Sequence, residues 1–156
     1  MKKSKLIGLV VIILLIALDL ITKHLAETNI GLYQQVSVIP NFFWLTNVRN
    51  TGAAWSLFDG KVGLLSVVSF VASVILAFVY LKDKQSKLAN TALVLMIAGT
   101  IGNFYDRLVL NYVRDFLSFN LFGYMFPVFN IADSLLVIGV VLLIVEVFLD
   151  EKRNRG

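Results

Sequence analysis

The sequence predicts an α-helical membrane protein with four transmembrane helices, both termini inside, and a small extracytoplasmic β element between helices 1 and 2. Three observations carry this expectation. The 156-residue chain is 58% hydrophobic and 15% charged, with a mean hydropathy of +0.84, too few polar residues to coat a soluble domain of this length. Its apolar residues fall in four runs, each close to the roughly 20 residues that cross a bilayer. Its basic residues cluster beside those runs: Lys2, Lys3 and Lys5 precede the first, Lys82, Lys84 and Lys87 separate the second and third, and Lys152, Arg153 and Arg155 follow the last. These segments are expected to stay in the cytoplasm.

The first run resembles a secretory signal peptide, with a basic start and an apolar stretch from Leu6 to Leu18. No small-residue cleavage site follows and three further runs do, so it reads as a retained span over residues 6–26. The other spans are expected at 62–81, 88–107 and 130–149, within one integral membrane domain covering 1–156. Segments 27–61 and 108–129 then lie outside. In the first, Val36, Val38, Phe42, Phe43, Trp44 and Leu45 favour strands, and Pro40-Asn41 reads as a turn between two short runs. A small antiparallel element resting on the membrane would bury these aromatics. In the second, residues 116–126 (FLSFNLFGYMF) read as an aromatic interfacial stretch.

Composition also excludes chemistries. Without cysteine there is no disulfide, thiolate metal site or cysteine nucleophile, and a single histidine, His24, rules out a histidine-rich metal site within one chain. Neither a metal nor a cofactor is expected. The net charge of +4 does not indicate nucleic-acid binding, because the basic segments are not interleaved with aromatics for base stacking.

Carboxylates in apolar spans are costly and point to function. With this topology, Asp19 and Lys23 fall at the outer end of span one, Asn103, Asp106 and Arg107 at the outer end of span three, and Asn130 and Asp133 at the outer start of span four. Arg49 and Asp115 lie in the outer segments, so the polar residues converge on one face. Each group also has a structural reading. Asp19 and Lys23 are spaced for a helical ion pair, with Thr22 beside them. Arg107 could snorkel to headgroups, while Gly99 and Gly102 permit a close helix approach. Asn130 and Asp133 could form a capping box, and Asp115 could be a solvated loop carboxylate beside Arg114. Together they suggest two neighbouring acids sharing one proton, able to activate water against a peptide carbonyl. Ser134 makes a poor nucleophile, since His24 would have to reach it from another helix.

Five motifs occur in order: DLITK (Asp19–Lys23), NVRNTGAAW (Asn47–Trp55), GNFYDR (Gly102–Arg107), VRDF (Val113–Phe116) and FNIAD (Phe129–Asp133). The set resembles that of the lipoprotein signal peptidases, also called signal peptidase II, across nearly the whole chain. The resemblance implies an aspartic endopeptidase of the bacterial plasma membrane with Asp115 and Asp133 as its catalytic dyad. It implies site-shaping roles for Asp19, Lys23, Asn50, Gly52, Asn103, Asp106, Arg107, Asn130 and Ala132. It also implies that the enzyme cleaves prolipoproteins before a diacylglyceryl-modified cysteine at the outer leaflet, among membrane lipids, and is inhibited by the cyclic peptide globomycin; a monomer is expected, although the sequence does not give the oligomeric state. Arg114 departs from the pattern, which has an apolar residue between the Val and the Asp. Three other readings stay open: an ion-coupled transporter, a non-enzymatic scaffold and a metal-dependent protease. The first requires ionisable groups deep in the membrane, where Glu146 is the one candidate.

Overall fold

The computed structural model describes residues 3–53, 57–82 and 85–155. Lys2, Lys84 and the Ala54–Trp55 end of the NVRNTGAAW motif lie outside the described residues. Four helices, α1 (Lys3–Asn29), α2 (Val62–Leu81), α3 (Lys87–Leu110) and α4 (Ile131–Arg155), are each long and apolar enough to span a membrane. Strands β1 (Gln35–Ile39) and β2 (Phe43–Asn50) follow α1, and β3 (Val113–Leu121) and β4 (Tyr124–Met125) follow α3.

The runs are helical although α2 is rich in valine, because hydrocarbon offers no partner for backbone groups and a helix satisfies them within the segment. Both prolines of the chain, Pro40 and Pro127, fall between helices, where a missing N–H does no harm. The side chain of Ser86 caps α3 by accepting from Ala89 N at 3.0 Å, and Asn111, left-handed at φ 62°, ends it.

Helix α3 is central. Half of its apolar stretch is buried, against none of α2's, and it packs on all three other helices. Glycines make that closeness possible on the α4 side. A Cβ at Gly102 would lie 2.5 Å from Asp19 Oδ2 and 3.3 Å from Ala132 Cβ. Gly102→Ala is therefore expected to lower stability by about 1–3 kcal/mol through overpacking. Thermal unfolding in detergent would show it, with Gly63→Ala as control, since no atom lies within 4 Å of a Cβ there.

The sheet is larger than the sequence suggested. The turn at Pro40-Asn41 joins β1 to β2, with Asn41 at φ 59°. β2 then pairs antiparallel with β3, giving the order β1-β2-β3-β4. The stretch 116–126 is thus not a simple interfacial segment but mostly strand, joined by a Phe122-Gly123 turn with both φ values positive, as two-residue hairpins prefer. Phe43 stacks on Phe119 at 4.5 Å between centroids, and Phe119 on Phe129 at 5.8 Å.

One residue of the basic groups is buried and paired. Lys5 is buried, donating to the carbonyl of Tyr80 and, at 2.6 Å, to Asn90 Oδ1, while its ammonium sits 4.3 Å from the Tyr80 ring centroid. It ties the start of α1 to the end of α2 and the start of α3. A cation at a helix C-terminus is favoured by the orphan carbonyls there.

Candidate active site

The C-terminal ends of α1 and α3 and the N-terminal end of α4 meet β2 and β3 around a cluster of buried polar groups. Asp19, Lys23, Asp106 and Asn130 have no exposed surface, and Asn103 and Asp115 are almost as deeply buried. In such a setting each polar atom needs a partner.

Helix α1 contributes an ion-paired lysine. Lys23 Nζ lies 2.8 Å from Asp19 Oδ2 and 3.5 Å from Asp106 Oδ2, and donates to Asn103 Oδ1 at 2.9 Å. The i,i+4 pair expected from the sequence exists, but it is the centre of a network rather than a surface staple. Asp19 Oδ1 in turn accepts from Ala132 N at 2.9 Å, tying α1 to the first turn of α4.

That turn is capped reciprocally. Asn130 Oδ1 accepts from Asp133 N at 3.0 Å, and Asp133 Oδ2 accepts from Asn130 N at 3.1 Å, which is the capping box anticipated for these residues. The remaining Asn130 group, its Nδ2, donates to Asp115 Oδ1 at 2.6 Å. One residue therefore both starts a helix and connects two carboxylates. Asn103 Nδ2 donates to the other oxygen of Asp133 at 2.7 Å, and Asn50 Nδ2 to the other oxygen of Asp115 at 2.8 Å. All four carboxylate oxygens are engaged by neutral amides. Such donors orient the acids without supplying a full countercharge.

Asp115 is not a solvated loop carboxylate: it lies on β3, opposite Val48 of β2. Burial, reinforced by the neighbouring Asp133 charge and opposed by the hydrogen bonds from Asn50 and Asn130, raises its pKa to about 7. Its neighbour Arg114 points the other way along the strand. Arg114 Nη2 meets Asp106 Oδ1 at 2.7 Å, its backbone N–H meets Asp106 Oδ2 at 3.0 Å, and Nη1 meets Glu27 Oε2 at 3.3 Å. The departure from the family pattern is thus absorbed by an acidic pair. Glu27 was missed in the sequence, although Asp19, Lys23 and Glu27 recur every four residues and share one helical face.

Arg107 does not snorkel. It is half-buried and donates to the Gly52 carbonyl at 3.1 Å, while Gly52 N donates to Asn50 Oδ1 at 2.9 Å. Gly52, just after β2, is held beside the acids by these bonds. Ser134 Oγ donates to the Asn130 carbonyl at 3.2 Å, and His24 is exposed on α1, so the two do not form a nucleophilic pair. Among the described residues, no three His, Asp or Glu side chains converge as a metal ion would need.

A cavity of about 620 Å³ opens against Asp115 and Asp133 and continues along α4 past Val137 and Ile138 to Ser69 of α2. A second, of about 740 Å³, lies at the opposite end beside Ser86, Glu146 and Arg153 and shares no residue with the first. The first is polar at the acids and apolar along its length. It brings a buried acid pair to one end of a largely apolar channel.

Comparison with known proteins gives a consistent result. Residues 11–149 match the family model described as signal peptidase (SPase) II. The lipoprotein signal peptidase of Staphylococcus haemolyticus (strain JCSC1435) is 41% identical over 145 residues, covering 92% of each chain. That of Staphylococcus aureus (strain JH9) is 36% identical over 158 aligned positions, covering 99% of this chain and 97% of the relative. A solved bacterial membrane enzyme superposes with a TM-score of 0.88 at 35% identity, covering 94% of this chain and 90% of that one. A second bacterial membrane enzyme gives 0.81 at 36% identity, covering 90% and 91%.

Proposed function

The chain belongs to the signal peptidase II family, and from that membership we propose that it is an aspartic endopeptidase that removes signal peptides from bacterial prolipoproteins. The observation that carries the mechanism is the Asn130 bridge, which holds Asp115 and Asp133 in one hydrogen-bonded unit beside the cavity. In this reading the pair keeps one proton. The ionised carboxylate deprotonates a water that attacks the scissile carbonyl, and the protonated one donates to the carbonyl oxygen. The proton belongs to the pair rather than to either residue.

Asn50, Asn103 and Asn130 orient the acids, Asp19, Lys23, Asp106 and Ala132 fix the helix ends beneath them, and Arg107 holds Gly52 beside them. The basic segments favour a cytoplasmic position for both termini, and this supports a site for the acids at the outer leaflet. There the cavity's apolar length would receive the signal peptide and the diacylglyceryl chains of the cysteine that follows the cleaved bond. A cyclic peptide of the globomycin type would compete for the same space, and the chain would act as a monomer.

The test is cleavage of a diacylglyceryl-modified prolipoprotein by the purified protein in detergent with EDTA present. Product ending immediately before the lipidated cysteine supports the reading. Inactive but well-folded protein would return the transporter and scaffold alternatives to the front. The rate should also depend on pH in a set direction. As pH rises through about 7, the value to which Asp115 is raised, the shared proton is lost and both acids carry charge. No donor then remains for the carbonyl oxygen. We expect kcat/KM to fall tenfold per pH unit above that point, with a slope of one proton. A rate flat to pH 9 would contradict a shared proton.

A further inference from the structure

The chain between β4 and α4 runs beside β3 with one residue too many. Phe126 N donates to Phe119 O at 2.8 Å and Phe129 N to Leu117 O at 3.1 Å, so three steps on this side match two on β3. Pro127 and Val128 bulge between those anchors. The extra residue of such a bulge is left outside the ladder. Pro127 has no N–H to offer. Among the described residues, neither the N–H nor the C=O of Val128 has a hydrogen-bond partner.

Val128 is half-buried and lines the same cavity as Asp115 and Asp133, two residues before the bridging Asn130. Irregular backbone at membrane level persists only where it is covered by protein or lines a cavity, because hydrocarbon leaves its polar groups unmet. A free donor and a free acceptor on one residue match one chemistry well, that of an extended peptide backbone. Adding a strand to an open edge satisfies both groups at once. A helical ligand could not do so, since its own backbone groups are already paired.

We propose that Pro127–Val128 is a substrate-binding edge, on which the residues flanking the scissile bond lie as an added strand. Val128 N–H donates to a substrate carbonyl and Val128 C=O accepts from a substrate N–H. The inference rests on the peptidase reading and adds to it that the cleaved segment is unwound and held by main-chain contacts. Such contacts are indifferent to side chains and suit an enzyme that acts on many sequences, while exposing the scissile carbonyl to the acids.

A synthetic diacylglyceryl lipopeptide decides this, with each amide near the cleavage site, the scissile one excepted, replaced in turn by an ester. An ester keeps the shape and removes one N–H. With the wild-type enzyme, the ester at the position facing Val128 C=O should raise KM about tenfold with kcat unchanged. Equal KM values across the series would overturn the proposal. On the enzyme side, Val128→Pro deletes the donor and should raise KM similarly, whereas Val128→Ala, which keeps the backbone, should raise it clearly less. Equal KM values for these two variants would also overturn it. If Val128→Pro fails to fold, the ester series alone is decisive. An all-amide parent left uncleaved would sink the peptidase reading itself, whereas a cleaved parent with a flat ester series would sink only the strand edge.

Discussion

Replacing either Asp115 or Asp133 with asparagine is expected to lower kcat by on the order of 10⁴-fold or more while leaving the protein folded. The substitution keeps the shape and removes the group that takes or gives the proton. It is not structurally silent. Asp115 accepts from Asn50 and Asn130, and Asp133 from Asn103 and the Asn130 backbone, so an introduced amide NH₂ faces a donor on one side. Neither Asn130 nor Asn103 can simply turn over, since their oxygens accept from Asp133 N and Lys23 Nζ. That mismatch costs stability, but removing one of two adjacent buried acids returns some of it. The thermal midpoint should therefore move little compared with the loss of turnover. The double variant should be no slower than the worse single one, because residues acting as a unit are not additive. Near-wild-type cleavage by either single variant would remove the dyad from the mechanism.

The largest loss of stability is expected from Lys23→Met. Methionine has a similar length and fits an apolar helix, so the change isolates the charge. Lys23 is fully buried between Asp19 and Asp106 and also holds Asn103 Oδ1. Without it, Asp19 is left as a buried carboxylate with only the Ala132 N–H, whereas Asp106 keeps Arg114. Breaking a buried pair from one side costs about 3–5 kcal/mol. Adding Asp19→Asn should recover much of this, because the amide oxygen can still accept from Ala132 N. A double-mutant cycle by denaturant unfolding in detergent would measure the coupling. Strict additivity of the two changes would mean that the pair contributes nothing as a pair.

Local signals in the sequence carried much of this arrangement. The i,i+4 spacing of Asp19 and Lys23, the Asn130–Asp133 cap and the Pro40-Asn41 turn each depend on residues within a few positions of one another, and each is present. Convergence of the polar groups at one end followed from the alternation of apolar runs. The pairing of β2 with β3 did not, since Phe43 opposite Phe119 is a contact across 76 positions that no local pattern encodes. Lys5 was read as one of a basic group, and nothing in its neighbourhood distinguishes a buried lysine from a solvated one. Glu27 stood on the Asp19–Lys23 face but beyond the apolar run, where an acid looks ordinary. The unpaired backbone at Val128 was invisible for a simpler reason: it is a property of main-chain geometry, not of a side chain.

The bridging asparagine has one more consequence, for how the protein comes into being. The acid pair is assembled from β3 and α4 and steadied by amides from β2, α3 and the α4 cap, elements spread from Asn50 to Asp133. A chain emerging into the membrane owns no pair until its last helix has docked and Asn130 has closed the cap. Proteolytic competence therefore arrives with the completed fold. On the proposed dyad mechanism, a half-inserted or misassembled copy would hold its two acids apart and turn nothing over.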